Sequence, residues 1–193
     1  MPALIRVFSA FCLLIFIAGC SQSTQNLRLS PTPPETGPAM GSGVAVGLQI
    51  VDARSHSDLG VLENPDGSIV RLTAAQDVAY ALQLVAAEAL RGYDFSPALW
   101  TSSTTPRVEI RIEQLDHEVT AGVPYQLETV VALKGTAWAG DDRYTGSARS
   151  NLSNQRALPP SDKTNAEIIE TAITRALRQL LDEDFARFIQ SRR

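Results

Sequence analysis

Pro106-Arg107-Val108-Glu109-Ile110-Arg111-Ile112-Glu113 is the stretch on which the fold turns. Apolar and charged residues alternate one for one. That puts Val108, Ile110 and Ile112 on one face of a strand and Arg107, Glu109, Arg111 and Glu113 on the other. A strand with one dry face and one wet face belongs to an antiparallel sheet covered on a single side. Past Gln114 the alternation slips at Leu115, which marks a bulge or bend. Gly122 and Pro124 then turn the chain, and residues 125–139 read as a long strand with Tyr125, Leu127, Thr129, Val131 and Leu133 on one face. Gly140-Asp141-Asp142 turns it again, and residues 143–152 return as a polar strand near an edge.

Working back toward the N-terminus, VAVGLQIV at 44–51 is apolar and β-branched, a buried first strand. Asn64-Pro65-Asp66-Gly67 is a turn, and the short apolar pieces on either side of it, 59–62 and 68–72, pair as a small hairpin. Thr73 stands three residues before Gln76, a capping-box pattern. It opens a helix with Val78, Leu82, Val85, Ala86, Ala89 and Leu90 at helical spacing, which Gly92 closes as C-cap. Residues 93–105 read as a loop carrying Phe95, Pro97 and Trp100. Working forward, Pro159-Pro160 breaks the chain and Ser161 or Asp162 caps a last helix. Ile168, Ile169, Ala172, Ile173, Ala176, Leu177, Leu180 and Leu181 give that helix a wide apolar stripe. Asp182-Glu183-Asp184 interrupts the stripe before a short final turn with Phe185, Phe188 and Ile189. The expectation is an α+β fold: a mostly antiparallel sheet with two helices packed on one face, forming a single domain over 44–193.

Two segments precede that domain. After Arg6 comes an apolar run, 7–17, within the roughly 7–15 residues of a secretory core and short of the about 20 a membrane-spanning helix needs. It ends Ile17-Ala18-Gly19-Cys20, which reads as a bacterial lipobox: 1–19 is a lipoprotein signal peptide and Cys20 the lipidated first residue of the mature chain. Ile17 stands where Leu is more usual. Cys12 leaves with the signal, so no intramolecular disulfide can form and the core alone must hold the fold. Ser21, rather than Asp, follows the cysteine, and by resemblance to enterobacterial sorting rules that implies the outer membrane over inner-membrane retention. Residues 20–43, with Pro31, Pro33, Pro34, Pro38, Gly37, Gly41 and Gly43, read as a disordered, lipidated tether.

Composition narrows the partners. The 193 residues carry a formal charge of −4, and loss of Arg6 makes the mature chain more acidic still. An acidic body argues against nucleic acid, which needs a basic face, and against electrostatic adhesion to anionic lipid. Attachment to the membrane falls to the lipid on Cys20.

Leu72-Thr-Ala-Ala-Gln-Asp77 opening a helix, Arg91-Gly-Tyr93 closing it, a strand ending Gln114-Leu115, the lipobox and a terminal helix with Phe188-Ile189 together resemble the YajG family of uncharacterised bacterial lipoproteins. The resemblance covers most of the chain; the Pro159-Pro160 break and the tether length fall outside it. It implies an envelope lipoprotein of Gram-negative type and brings no catalytic residues.

Few constellations suggest chemistry. His56 lies near Asp52 and Asp58, as in a metal or acid–base site, but the stretch also reads as a solvated turn. His117 sits between Asp116 and Glu118, yet alternation sends it to the opposite face from both. Asp141-Asp142-Arg143 reads as a hairpin turn rather than a calcium loop. Gly41-Ser-Gly43 with Gly47 has the wrong spacing for a dinucleotide loop and precedes its strand, and no Gly-x-Ser-x-Gly occurs. The sequence therefore points to no catalytic residue, no metal and no cofactor. Trp100 and Trp138 are the candidate partner-binding residues, since exposed aromatics anchor partners; the competing reading makes each part of the core or a cover for the sheet. The expected role is a non-enzymatic accessory or binding module, anchored in the outer membrane and facing the periplasm. It would meet another envelope protein or cell-wall material. The alternatives are a small envelope hydrolase, or a carrier holding a small ligand between sheet and helices.

Overall fold

The computed structural model describes residues 23–101 and 106–191. The signal, the lipobox with Cys20, and Ser21 lie outside that range. Eight strands form one sheet: β1 (Thr24–Leu27), β2 (Ala45–Asp52), β3 (Gly60–Glu63), β4 (Ile69–Ala74), β5 (Ser96–Leu99), β6 (Arg107–Thr120), β7 (Tyr125–Ala139) and β8 (Asp142–Arg156). Three helices accompany them among the described residues: α1 (Val78–Gly92), α2 (Asp162–Leu180) and α3 (Glu183–Gln190). None of these is long and apolar enough to cross a membrane.

The expected meander is present. β6, β7 and β8 pair antiparallel along nearly their whole lengths, and the register shifts between Ile112 and Gln114 where the alternation slips. Val108, Ile110, Ile112, Leu115, Leu127, Val131 and Leu133 are buried on one face. Gly135 on that face leaves room for Leu180 of α2, which sits 3.1 Å from where a Cβ would stand.

The sheet as a whole is mixed, not mostly antiparallel. β1–β4, β2–β5, β2–β6 and β3–β6 are parallel pairs, and β3–β4 closes the small hairpin as an antiparallel pair. The reason is that β2 does not stay with its neighbours in sequence. It lies between β5 and β6, and parallel partners of this kind need long crossovers, here supplied by the β3–β4 hairpin and α1. Along one edge β6 pairs first with β2, over Gly47 to Asp52, and then past the bulge with β3. The sheet forks there, and the 53–59 loop bridges the fork. Arg54 fastens that loop through two bonds to the Asp52 carboxylate, 2.9 and 2.8 Å, and one to the Asp58 carbonyl, 3.1 Å.

Three further details differ from expectation. Ser96–Leu99 is a strand inside what reads as a loop; Pro97 is tolerated because β5 is an edge. α1 starts later than the Thr73 pattern suggests: Thr73 belongs to β4, and the side chain of Asp77 caps the helix by accepting from the Tyr80 amide at 3.1 Å. α2 ends at Leu180 with Leu181 as its C-cap, and Asp182 caps a second helix, accepting from the Phe185 amide at 2.9 Å, so the C-terminal segment is two helices.

The largest difference concerns the tether. From Thr24 onward it is part of the body. β1 is a strand of the sheet, and beyond it the chain runs as a strap over the helices, with Leu27, Leu29, Pro31 and Pro34 buried. Glu170 of α2 accepts from the Ser30 amide at 2.6 Å, Thr174 donates to the Thr32 carbonyl at 2.8 Å, and Gln76 donates to the Leu29 carbonyl. At its far end the Met40 and Gly41 amides both reach the Tyr93 carbonyl, at 2.9 and 2.7 Å. Prolines lack the amide that would otherwise need a partner, and side chains of α2 and of Gln76, just ahead of α1, satisfy part of the rest.

Candidate functional site

The two tryptophans converge. Trp138 lies on the outward face of β7, between buried Ala137 and Ala139; Trp100 follows directly on β5. Their ring centroids are 5.6 Å apart at an interplanar angle of 74°, an edge-to-face pair. Arg107, opposite Trp138 in the β6–β7 register, joins them: its guanidinium carbon is 5.5 Å from the Trp100 ring centroid and 5.3 Å from that of Trp138. All three side chains are half-buried. Beside them Leu99 is 87 % exposed. The cluster offers flat aromatic surface, a fixed positive charge and an open apolar side chain, a combination suited to binding a protein surface or stacking on a sugar ring. Arg107 was the member hidden in the sequence. Its outward phase on β6 was legible; its register with Trp138 was not.

The histidine groups do not form sites of the kind their neighbours suggest. Asp52 is taken up by Arg54, whose hydrogen bonds hold its carboxyl below the usual range. Asp58 pairs with Arg71. His56 is exposed and stands 3.8 Å from Asp116 across a groove of about 450 Å³. Asp141 and Asp142 make the β7–β8 hairpin, with Gly140 at φ +65° in the turn. Among the described residues no group of three or more His, Cys, Asp or Glu is placed to hold a metal ion.

His117 is fully buried on the core side, away from Asp116 and Glu118. Its Nδ1 is 2.7 Å from the Thr129 hydroxyl and its Nε2 is 3.2 Å from the Asn165 Oδ1. Asn165 Nδ2 in turn donates to Gln25 Oε1 at 3.2 Å, and Gln25 reaches Asp162. This chain ties β6, β7, α2 and β1 together. Burial lowers the pKa of His117, with the Asn165 bond acting the other way; the neutral ring donates with one nitrogen and accepts with the other. Shut off from solvent and saturated with partners, it is a structural joint.

Comparison with known proteins follows the same lines. A family model described as uncharacterized lipoprotein, Lipoprotein_16, matches residues 31–190. Among solved structures, a DUF330-family protein from Xanthomonas campestris superposes with a TM-score of 0.53 at 12% identity, covering 88% of this chain and 98% of that one, which is a likeness of fold alone. The PelC dodecamer subunit of Paraburkholderia phytofirmans gives 0.37 at 15% identity over 79% of this chain and 94% of its own. No functionally curated protein matches.

Proposed function

Since the chain belongs to the Lipoprotein_16 family of uncharacterized lipoproteins, the YajG family, we propose that it is an outer-membrane lipoprotein, lipidated at Cys20, whose periplasmic domain acts by binding rather than catalysis. Its partner is another envelope protein, and the docking surface is the Trp100–Arg107–Trp138 cluster with Leu99. The observation that carries this reading is the cluster itself. Two tryptophans 38 positions apart in the sequence are brought into contact around one arginine, half-exposed, at one end of the longest strands. Trp and Arg are the residue types that dominate binding hot spots. Edge-to-face packing and the cation–π contacts pre-order the three side chains, which lowers the entropy lost on docking.

The test is in-cell crosslinking of the full-length lipoprotein, followed by mass spectrometry of the captured material from the wild type and from Trp138→Ala. The proposal expects one dominant envelope protein, strongly reduced in the variant. Capture of cell-wall glycan instead would move the partner to the other class, and capture unaffected by the substitution would remove the cluster from the function.

A further inference from the structure

The strand directions give the molecule two unlike ends. β6 runs from Arg107, beside the tryptophans, to Thr120, and spans roughly 40 Å at about 3.3 Å per residue. β1 runs the opposite way, because β3 is parallel to β6, β4 antiparallel to β3, and β1 parallel to β4. Thr24 therefore lies at the Thr120 end. Cys20 precedes Ser23 by three residues, which reach at most about 10 Å. With β1 fixed in the sheet, the lipidated residue has no long tether to swing on.

The same end gathers exposed apolar side chains. Val123, in the β6–β7 turn, is 100 % exposed. Leu158, two residues past the end of β8, is 77 % exposed. It lies four residues before Asp162, the α2 residue that Gln25 of β1 reaches. Ile69, 46 % exposed, opens β4 two residues before Arg71, the partner of Thr24. Three large exposed apolar side chains thus share the end of the domain from which the chain continues toward Cys20.

We infer that this end rests on the lipid surface, with Val123, Leu158 and Ile69 entering the headgroup–acyl boundary and the tryptophan cluster held at the far end of the domain. The inference rests on the lipid-anchor reading of Cys20 and adds a fixed orientation to it. Apolar side chains at such a boundary gain by leaving water. The short connection presses them there without any need for a basic face.

The test uses the full-length lipoprotein, purified in detergent and reconstituted into vesicles of phosphatidylethanolamine and phosphatidylglycerol. Single nitroxide labels are placed at Val123→Cys, Leu158→Cys and, as the far-end reference, Leu99→Cys. All three positions are exposed, so folding is not at stake. The expected result is several-fold higher oxygen accessibility relative to a water-soluble nickel relaxant at 123 and 158 than at 99. Protein that floats with the vesicles but carries equally wet labels at all three positions overturns the orientation and leaves the anchor standing. Protein that does not float with the vesicles overturns the anchor, and the orientation with it.

Discussion

The ring of His117 on β6 and the amide of Asn165 on α2 are joined at 3.2 Å, and both residues are fully buried. This contact fastens α2 to the sheet by a polar bond as well as by packing. It continues through Gln25 to β1, so it also fixes the strand that leads to the N-terminal segment. A buried polar network holds a fold strongly when every member is satisfied and fails when one is removed.

Stability should fall as the solution is acidified below pH 6.5. The folded pKa of His117 lies below the ordinary imidazole value of 6.5 because burial disfavours the charged ring. Above that value both states are neutral and the full stability is present. Below it the unfolded chain binds a proton that the folded one resists, so stability drops until the folded pKa is passed. The slope is at most about 1.4 kcal/mol per pH unit. Thermal melts between pH 7.5 and 5 should show the decline, and His117→Gln, though less stable at pH 7.5, should flatten it. An equal decline in the variant would assign the effect to other groups.

Gly60 allows no side chain. Its φ is +140°, and an added Cβ would stand 1.8 Å from the His117 carbonyl oxygen. The strain and the backbone displacement together should cost at least about 3 kcal/mol in Gly60→Ala, measured by urea denaturation. A loss below about 1 kcal/mol would mean that β3 does not meet β6 as described.

The strap should resist exchange. In hydrogen–deuterium exchange the Ser30, Met40 and Gly41 amides should be protected, since each has a partner. Glu170→Ala should deprotect Ser30 and cost about 1 kcal/mol, the usual net worth of one hydrogen bond or slightly more. Free exchange across 28–43 in the wild type would restore the tether.

Cys20→Ser should move the protein out of the outer-membrane fraction of a sucrose gradient, leaving it soluble or signal-retaining, while its melting temperature stays put. Unchanged fractionation would refute the lipid anchor.

Legibility in the sequence followed the reach of the interactions. The β6–β7–β8 meander, its bulge, the inward face of β7 and the inward turn of His117 are all consequences of residue alternation, and they could be read directly. The strap could not. Its buried positions Leu27, Leu29 and Pro31 alternate like a strand, but Gln76, Glu170 and Thr174 supply the polar partners from far away, and its prolines look like those of a linker. β5 is four residues containing a proline, too short to show a period. The mixed sheet arises from which strands pair, and alternation within a strand says nothing of its neighbours. Both tryptophans could be singled out one by one, whereas their meeting around Arg107 depends on register and on the return of β5.

The most direct measurement places a photoreactive amino acid at Leu99 in the full-length lipoprotein and, as a reference, at Leu84, which is also exposed but lies on α1. After irradiation of living cells, the adducts are resolved and identified. The account predicts an adduct with one envelope protein from position 99 that disappears when Trp138→Ala is added, and no such adduct from position 84. The same adducts from both positions, or an adduct at 99 that survives Trp138→Ala, would contradict it.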